Sequence, residues 1–429
     1  MSRVAVVGGS LAGMAAAARL AKRGHEVTVY AGSLAPEWRP SRSAPGSEQP
    51  GPLPPVLTFP APWRDLFKKS GRILPAELAL AGLDLVPAPP VRHVFADGGE
   101  LLLGGDRGEQ FHRLARAYGA RIAEDWRRTV DDLEPVWQQV RHLGLEVELA
   151  DRRGLRSHRR SLLWGRTVAD LAAARPHPHL RALVEEAAWR LGNDPSRTPA
   201  HVAARLCVER TFGRWMVVDA AGRPVGTQAL LDLLEARLAA RGVTVRPMAP
   251  DLPARLRSAA GGGAEATVWA LDPAGLRRAG WHTRAIRGAA RLAPALRPRT
   301  ARLDPRSGTH GTGQVIETVD HATRTVRWDG PDTAVVHDWS AATPDPAAGP
   351  AWVGEATWLR RLPVRLAPGH YSAGAWGRGG SDLAAILMSG ALATYAVHRD
   401  LTGEDIRPSN RDAAAHHGGP HLRRPVRTA

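Results

Sequence analysis

Apolar and polar positions along this chain change their period several times, and each change marks an element. Residues 4–7, Val-Ala-Val-Val, are a short unbroken apolar run of the kind found in a strand buried on both faces. A turn at 8–13 leads into the alanine-rich helical stretch 14–23, then Gly24, then a second strand at 26–30. Residues 35–62 are rich in Pro, Ser and Gly, so an irregular segment is expected there. The stretch 63–71 reads as a helix ending in Lys68-Lys69. Strands are expected at 83–86 and 91–95, with a hairpin turn at 96–99 into 100–103. From about 109 to 190 the period is helical: Phe111, Leu114, Ala115 and Tyr118 fall on one face, as do Trp126, Val130, Leu133 and Trp137.

The second half returns to shorter periods. Residues 227–241 form an amphipathic helix with Leu230, Leu231, Leu234 and Leu238 on one side, closed by Gly242 and followed by a strand at 243–245. A buried strand is expected at 266–271, and three short strands at 315–319, 325–328 and 334–337. A strand at 370–373, a glycine-rich turn at 374–380 and a long helix at 381–397 complete the pattern, and the tail beyond 407 reads as disordered. The expected fold class is α/β, a three-layer Rossmann-like domain with an inserted α+β domain. The parts are 1–75 for the first part of that domain, 76–215 for a mostly helical insertion and 216–290 for the return. A short antiparallel segment at 291–350, a closing strand and helix at 351–406 and a tail at 407–429 follow.

The opening thirty residues are strand, glycine turn, helix and strand in register, the βαβ start of a dinucleotide-binding domain. There the amides at the helix N-terminus receive a pyrophosphate. Gly8, Gly9, Ser10, Leu11, Ala12 and Gly13 make up the turn, with Gly8 for the tight bend and Gly13 for close helix–strand packing. Two positions depart from the pattern. Ser10 stands where the middle glycine lets backbone approach phosphate, and Ala31 stands where an acidic residue binds the ribose.

Composition narrows the function classes. The chain has 58 basic against 42 acidic residues, net +16, but only Lys22, Lys68 and Lys69 are lysines, and the arginines are scattered among acids. No basic stripe for nucleic acid results. Cys207 is the single cysteine, which leaves no disulfide and no cysteine-based metal cluster, and no metal site is expected. The chain starts on a strand without a signal peptide, and no apolar run reaches the ~20 residues of a membrane span. A cytoplasmic location is expected. Peripheral membrane contact stays open through the helix bearing Trp63, Phe67, Lys68 and Lys69.

Several stretches extend the likeness. Residues 51–60 with Arg64-Asp65-Leu66-Phe67, 84–87 with 95–98, 192–199 with Phe212-Gly213-Arg214-Trp215, and 358–361 before 371–390 resemble the phytoene-desaturase-like branch of the flavin amine-oxidase superfamily. The resemblance implies an FAD-dependent oxidoreductase that passes a hydride from an apolar, isoprenoid-like or specialised-metabolite substrate to flavin. It also implies cofactor contacts at Gly8–Gly13, Ala31, Arg39, Gly374, Ala375, Trp376, Gly380 and Ser381. The departures cluster at the nucleotide: Ala31 for a glutamate, Glu37-Trp38-Arg39 near a Gly-Gly-Arg motif, and Ala375 for an aspartate. At about 1–3 kcal/mol for each charge-assisted contact, such losses weaken FAD by roughly two to four orders of magnitude. A second reading is therefore a flavin-depleted homologue that partners an intact flavoenzyme. No catalytic residue follows from a motif. His370 and Arg378 are candidates for a flavin edge or for plain solvation, and Trp376 for stacking on a flavin or filling its place. His177 and His179 read as solvated rather than metal-ligating.

Overall fold

In the computed structural model, residues 1–42, 48–149, 151–257, 263–306 and 314–408 are described; the expected disordered tail lies almost wholly outside them. The opening strand Arg3–Val7 is central in a six-stranded sheet. On one side lie Glu26–Tyr30 and Thr244–Arg246; on the other, Ala266–Trp269, His370–Ser372 and Arg365–Ala367. All neighbours pair in parallel except the last, which is antiparallel. Strands buried on both faces account for the unbroken apolar runs in the sequence.

The first helix, Leu11–Lys22, is buried on all sides through Leu20 because small residues let two partners approach. Its alanines face the closing helix Leu383–Thr402, where a side chain at Gly390 would come within 2.7 Å of Ala12 O and 3.0 Å of Ala15 Cβ. Arg19, 2% exposed, is neutralised by Asp65 at 2.6 Å from the helix Ala61–Ser70. Trp63 and Phe67 of that helix are buried in the same core, so the apolar face considered for a bilayer is spent inside the protein. Among the described residues no helix is long and apolar enough to cross a membrane.

A second six-stranded sheet runs in the order Leu296–Leu303, Ala334–Pro344, Thr325–Asp329, Ile316–Asp320, Val91–Val94, Glu100–Leu103. The strand Leu296–Leu303 is not expected from its pattern, which holds three arginines and a proline. Its pairing with Ala334–Pro344 overrides that weak local signal. A three-stranded sheet, Val56–Thr58, Arg214–Asp219 and Leu83–Pro87, joins the two regions. Helices Arg107–Tyr118, Ala120–Val140, Pro178–Trp189 and Arg205–Phe212 cover them and share a core around Leu114, Trp126, Val130 and Leu183.

Gly390→Ala tests the contact of the first and closing helices. The substitution gains about 1 kcal/mol of helix propensity but places a methyl against backbone, where overpacking costs about 1–3 kcal/mol. A lower Tm is expected. Gly288→Ala, in the helix Arg284–Ala289 with open space around it, should leave Tm unchanged or raise it. A Gly390→Ala protein as stable as its parent would remove the close contact.

Candidate functional site

The two glycine turns singled out in the sequence leave the same edge of the parallel sheet, with one strand between them. At the first, Gly8 adopts φ +104° and donates to Tyr30 O at 2.9 Å. A side chain at Gly13 would come within 2.7 Å of Gly8 O, so its role in helix–strand packing holds. Ser10 caps the first helix, its Oγ accepting from Gly13 N at 3.4 Å. Leu11 and Ala12 are fully buried, and Ala31 is largely so, its amide donating to Arg246 O at 2.9 Å.

The helix N-terminus already has an anion. Leu11 N–H donates to Glu37 Oε1 at 2.8 Å, so a carboxylate of the chain takes an amide that a phosphate oxygen takes in a dinucleotide fold. Partial burial pushes the Glu37 pKa up, while the Leu11 amide and Arg297 pull it down. The segment carrying it lies directly on the glycine turn. Ala35 N donates to Gly9 O at 2.6 Å, and a side chain at Gly9 would collide with Ser33 O and Ala31 Cβ. Ala35 is fully buried at φ +47°, a conformation an alanine holds only when its surroundings impose it. Arg297 secures the far side, donating to Glu37 O at 2.7 Å, pairing with Asp345 and lying 5.3 Å from the Trp38 ring centre.

Arg39 does not join this group. It pairs with Asp232 at 2.8 Å and Glu235 at 2.7 Å on the helix Gln228–Ala240 and donates to Leu34 O, which corrects its expected place at a pyrophosphate. The ribose carboxylate is absent, the Gly-Gly pair is Glu37-Trp38, and the amide is taken. As built, this cradle does not fit a pyrophosphate.

At the second turn Gly374 N donates to Ser389 Oγ at 2.8 Å, and Ala375 O accepts from the buried Arg361 at 3.2 Å. Trp376 is buried with Trp269, Trp281 and Leu362, and its Nε1 donates to Pro346 O at 2.7 Å. Arg378 donates to Leu149 O at 2.5 Å, and His370 accepts from Trp269 Nε1 at 3.4 Å; both belong to the packing. His179, expected in solvent, is buried against Phe95 and bonded to Tyr118 and Asp97.

Gly380 and Ser381, by contrast, border a cavity of about 270 Å³ between the closing helix and the inserted domain. Its wall is aromatic: Trp38, Phe59, Trp137, Trp339, Trp352 and Trp358 line it. These positions are scattered over the chain and no motif connects them. Their one sequence signal is compositional, 14 tryptophans against 5 phenylalanines and 4 tyrosines.

At the edge of this cavity Glu317, 2% exposed, is held between Arg190 at 2.8 Å and Arg214, which keeps its pKa down at about 2. Beside it His93 Nδ1 and His321 Nε2 lie 3.0 Å apart, with Glu186 Oε2 at 3.5 and 3.6 Å. Their spacing would suit a cation. Glu186 is already paired with Arg190 at 2.8 Å and the two imidazoles bond each other, while His321 Nδ1 is buried without a partner.

A profile for an NAD(P)-binding Rossmann-like domain matches residues 6–33. The chain is 36% identical over 132 residues, 30% of its length, to a hydroxyneurosporene desaturase of Cereibacter sphaeroides, of which the match spans a quarter. An oxidoreductase from Methanosarcina mazei superimposes with TM-score 0.60 at 13% identity, covering 91% of this chain and 99% of that one. Cyclohexylamine oxidase from Brevibacterium oxydans gives 0.59 at 14%, covering 93% and 99%. Putrescine oxidase bound to putrescine gives 0.58 at 12%, covering 94% and 99%. The fold is that of these oxidoreductases, and the likeness to the phytoene-desaturase-like branch is supported by the desaturase match. The closed cradle of this chain stands apart from that likeness.

Glu37→Ala should leave the Leu11 amide unpaired and cost about 1–3 kcal/mol. Inorganic pyrophosphate should then raise the Tm of the variant but not of the parent. Equal shifts in both proteins would show that Glu37 does not occupy an anion site.

Proposed function

On the scaffold of a phytoene-desaturase-like oxidoreductase, we propose that this chain acts on an apolar small molecule enclosed in the tryptophan-lined cavity. The cavity itself carries the reading. It lies between the glycine-rich turn that opens the closing helix and the inserted domain, and its wall is aromatic and largely free of unpaired charge. Arg190 is matched to Glu317, Arg205 to Glu209 and Arg297 to Asp345, which tempers the charge of the chamber wall. Phe59 and Trp137 meet edge to face at 5.3 Å, as do Trp352 and Trp358 at 5.9 Å, which gives rigid walls for orienting a substrate.

Glu37 favours a second reading built on the same cavity. With its carboxylate at the Leu11 amide and Arg39 engaged elsewhere, the chain is a flavin-depleted homologue. It holds the small molecule for an intact flavoenzyme partner that performs the oxidation. Hydride transfer within this chain requires the segment 33–39 to leave the glycine turn.

An absorption spectrum of the purified protein, taken before and after excess FAD and again after gel filtration, separates the two. Flavin bands that stay with the protein support oxidation within this chain. A protein that remains colourless in excess FAD overturns that reading and leaves the partner role.

A further inference from the structure

The cavity wall carries polar groups that the protein does not satisfy. His201, on the short helix Ala200–Ala204, is 3% exposed, and neither ring nitrogen has a hydrogen-bond partner. Its ring lies 5.1 Å from Trp352 and 5.0 Å from Trp358. The indole N–H groups of Trp358 and of Trp137, on the helix Ala120–Val140, also lack partners. Buried polar groups are nearly always paired, and an orphan is costly. The same wall also carries buried unpartnered nitrogens of Trp38, His337, Arg205 and Arg297, so it holds a built set of hydrogen-bonding positions rather than an accident of packing.

The chemistry of these groups restricts the occupant. Indole N–H only donates, and a neutral imidazole offers one donor and one acceptor. Burial and the nearby Arg361 guanidinium hold His201 neutral, its pKa pushed down to about 3. Two or three donors among aromatic rings that meet edge to face call for acceptor oxygens on an aromatic molecule.

We propose that the cavity takes a planar, conjugated ring system bearing carbonyl or phenolic oxygens, a quinone-like molecule. It stacks among Phe59, Trp137, Trp352 and Trp358 and accepts hydrogen bonds from His201, Trp137 Nε1 and Trp358 Nε1. This rests on the cavity being the substrate chamber and adds the class of substrate.

Calorimetric titration of the full chain with 2-methyl-1,4-naphthoquinone and with 2-methylnaphthalene, the same rings without oxygens, tests it. The quinone should bind at least about tenfold more tightly. His201→Phe should reduce that preference to under about threefold while leaving the hydrocarbon affinity unchanged. Trp137→Phe keeps a ring, removes one donor and should cost the quinone alone about threefold or more, which serves as the second variant if His201→Phe does not fold. Equal binding of the two compounds overturns the oxygen-recognition proposal and leaves the chamber intact. Binding of neither overturns both.

Discussion

Both ends of this chain depend on one close contact between helices. The first helix and the closing helix touch through Ala12, Ala15 and Gly390, with no side chain interposed at the glycine. That contact fixes the two glycine turns at one edge of the parallel sheet, although some 360 residues separate them in sequence. Everything functional is arranged from there. The N-terminus of the first helix sets the nucleotide cradle, and the start of the closing helix forms one border of the cavity. Small residues are the requirement, which is why this helix is rich in alanine although it is wholly buried.

From that shared edge the two halves of the site have diverged. The side toward the inserted domain holds a tryptophan-lined cavity. The nucleotide side has been filled by the segment around Ala35 and Glu37, braced by Arg297 from a strand of the second sheet. Trp38 and Arg297 belong to both places, since they back the cradle and line the cavity, so change at one is felt at the other. Relatives on this scaffold are oxidoreductases, and this chain shares their fold more fully than their phosphate contacts.

What the sequence reveals follows the range of the interactions. The βαβ opening was legible because a strand, a glycine turn and a helix are adjacent, and each element's pattern reports its own burial. The losses at Ala31 and Ala375 were legible as departures from a spaced motif. Glu37 was not. It lies 26 residues from Leu11, within a stretch that reads only as irregular, and a carboxylate substituting for a ligand has no periodicity. His201, Trp137 and Trp358 were hidden for the same reason, since they converge from three unrelated elements. Trp376 was visible but misplaced: its neighbour positions matched a flavin motif, whereas its indole packs with Trp269 and Trp281 on the other side. The strand Leu296–Leu303 was missed because arginines and a proline mask a run held by its partner.

A helix N-terminus that carries its own counter-anion depends less on an external one. In a dinucleotide fold whose first helix waits for a phosphate, folded stability rises with the concentration of free ligand. Here the compensating charge arrives with the chain, at a fixed effective concentration set by the short connection from the second strand. The first helix therefore has part of its N-terminal charge compensated before any external anion arrives.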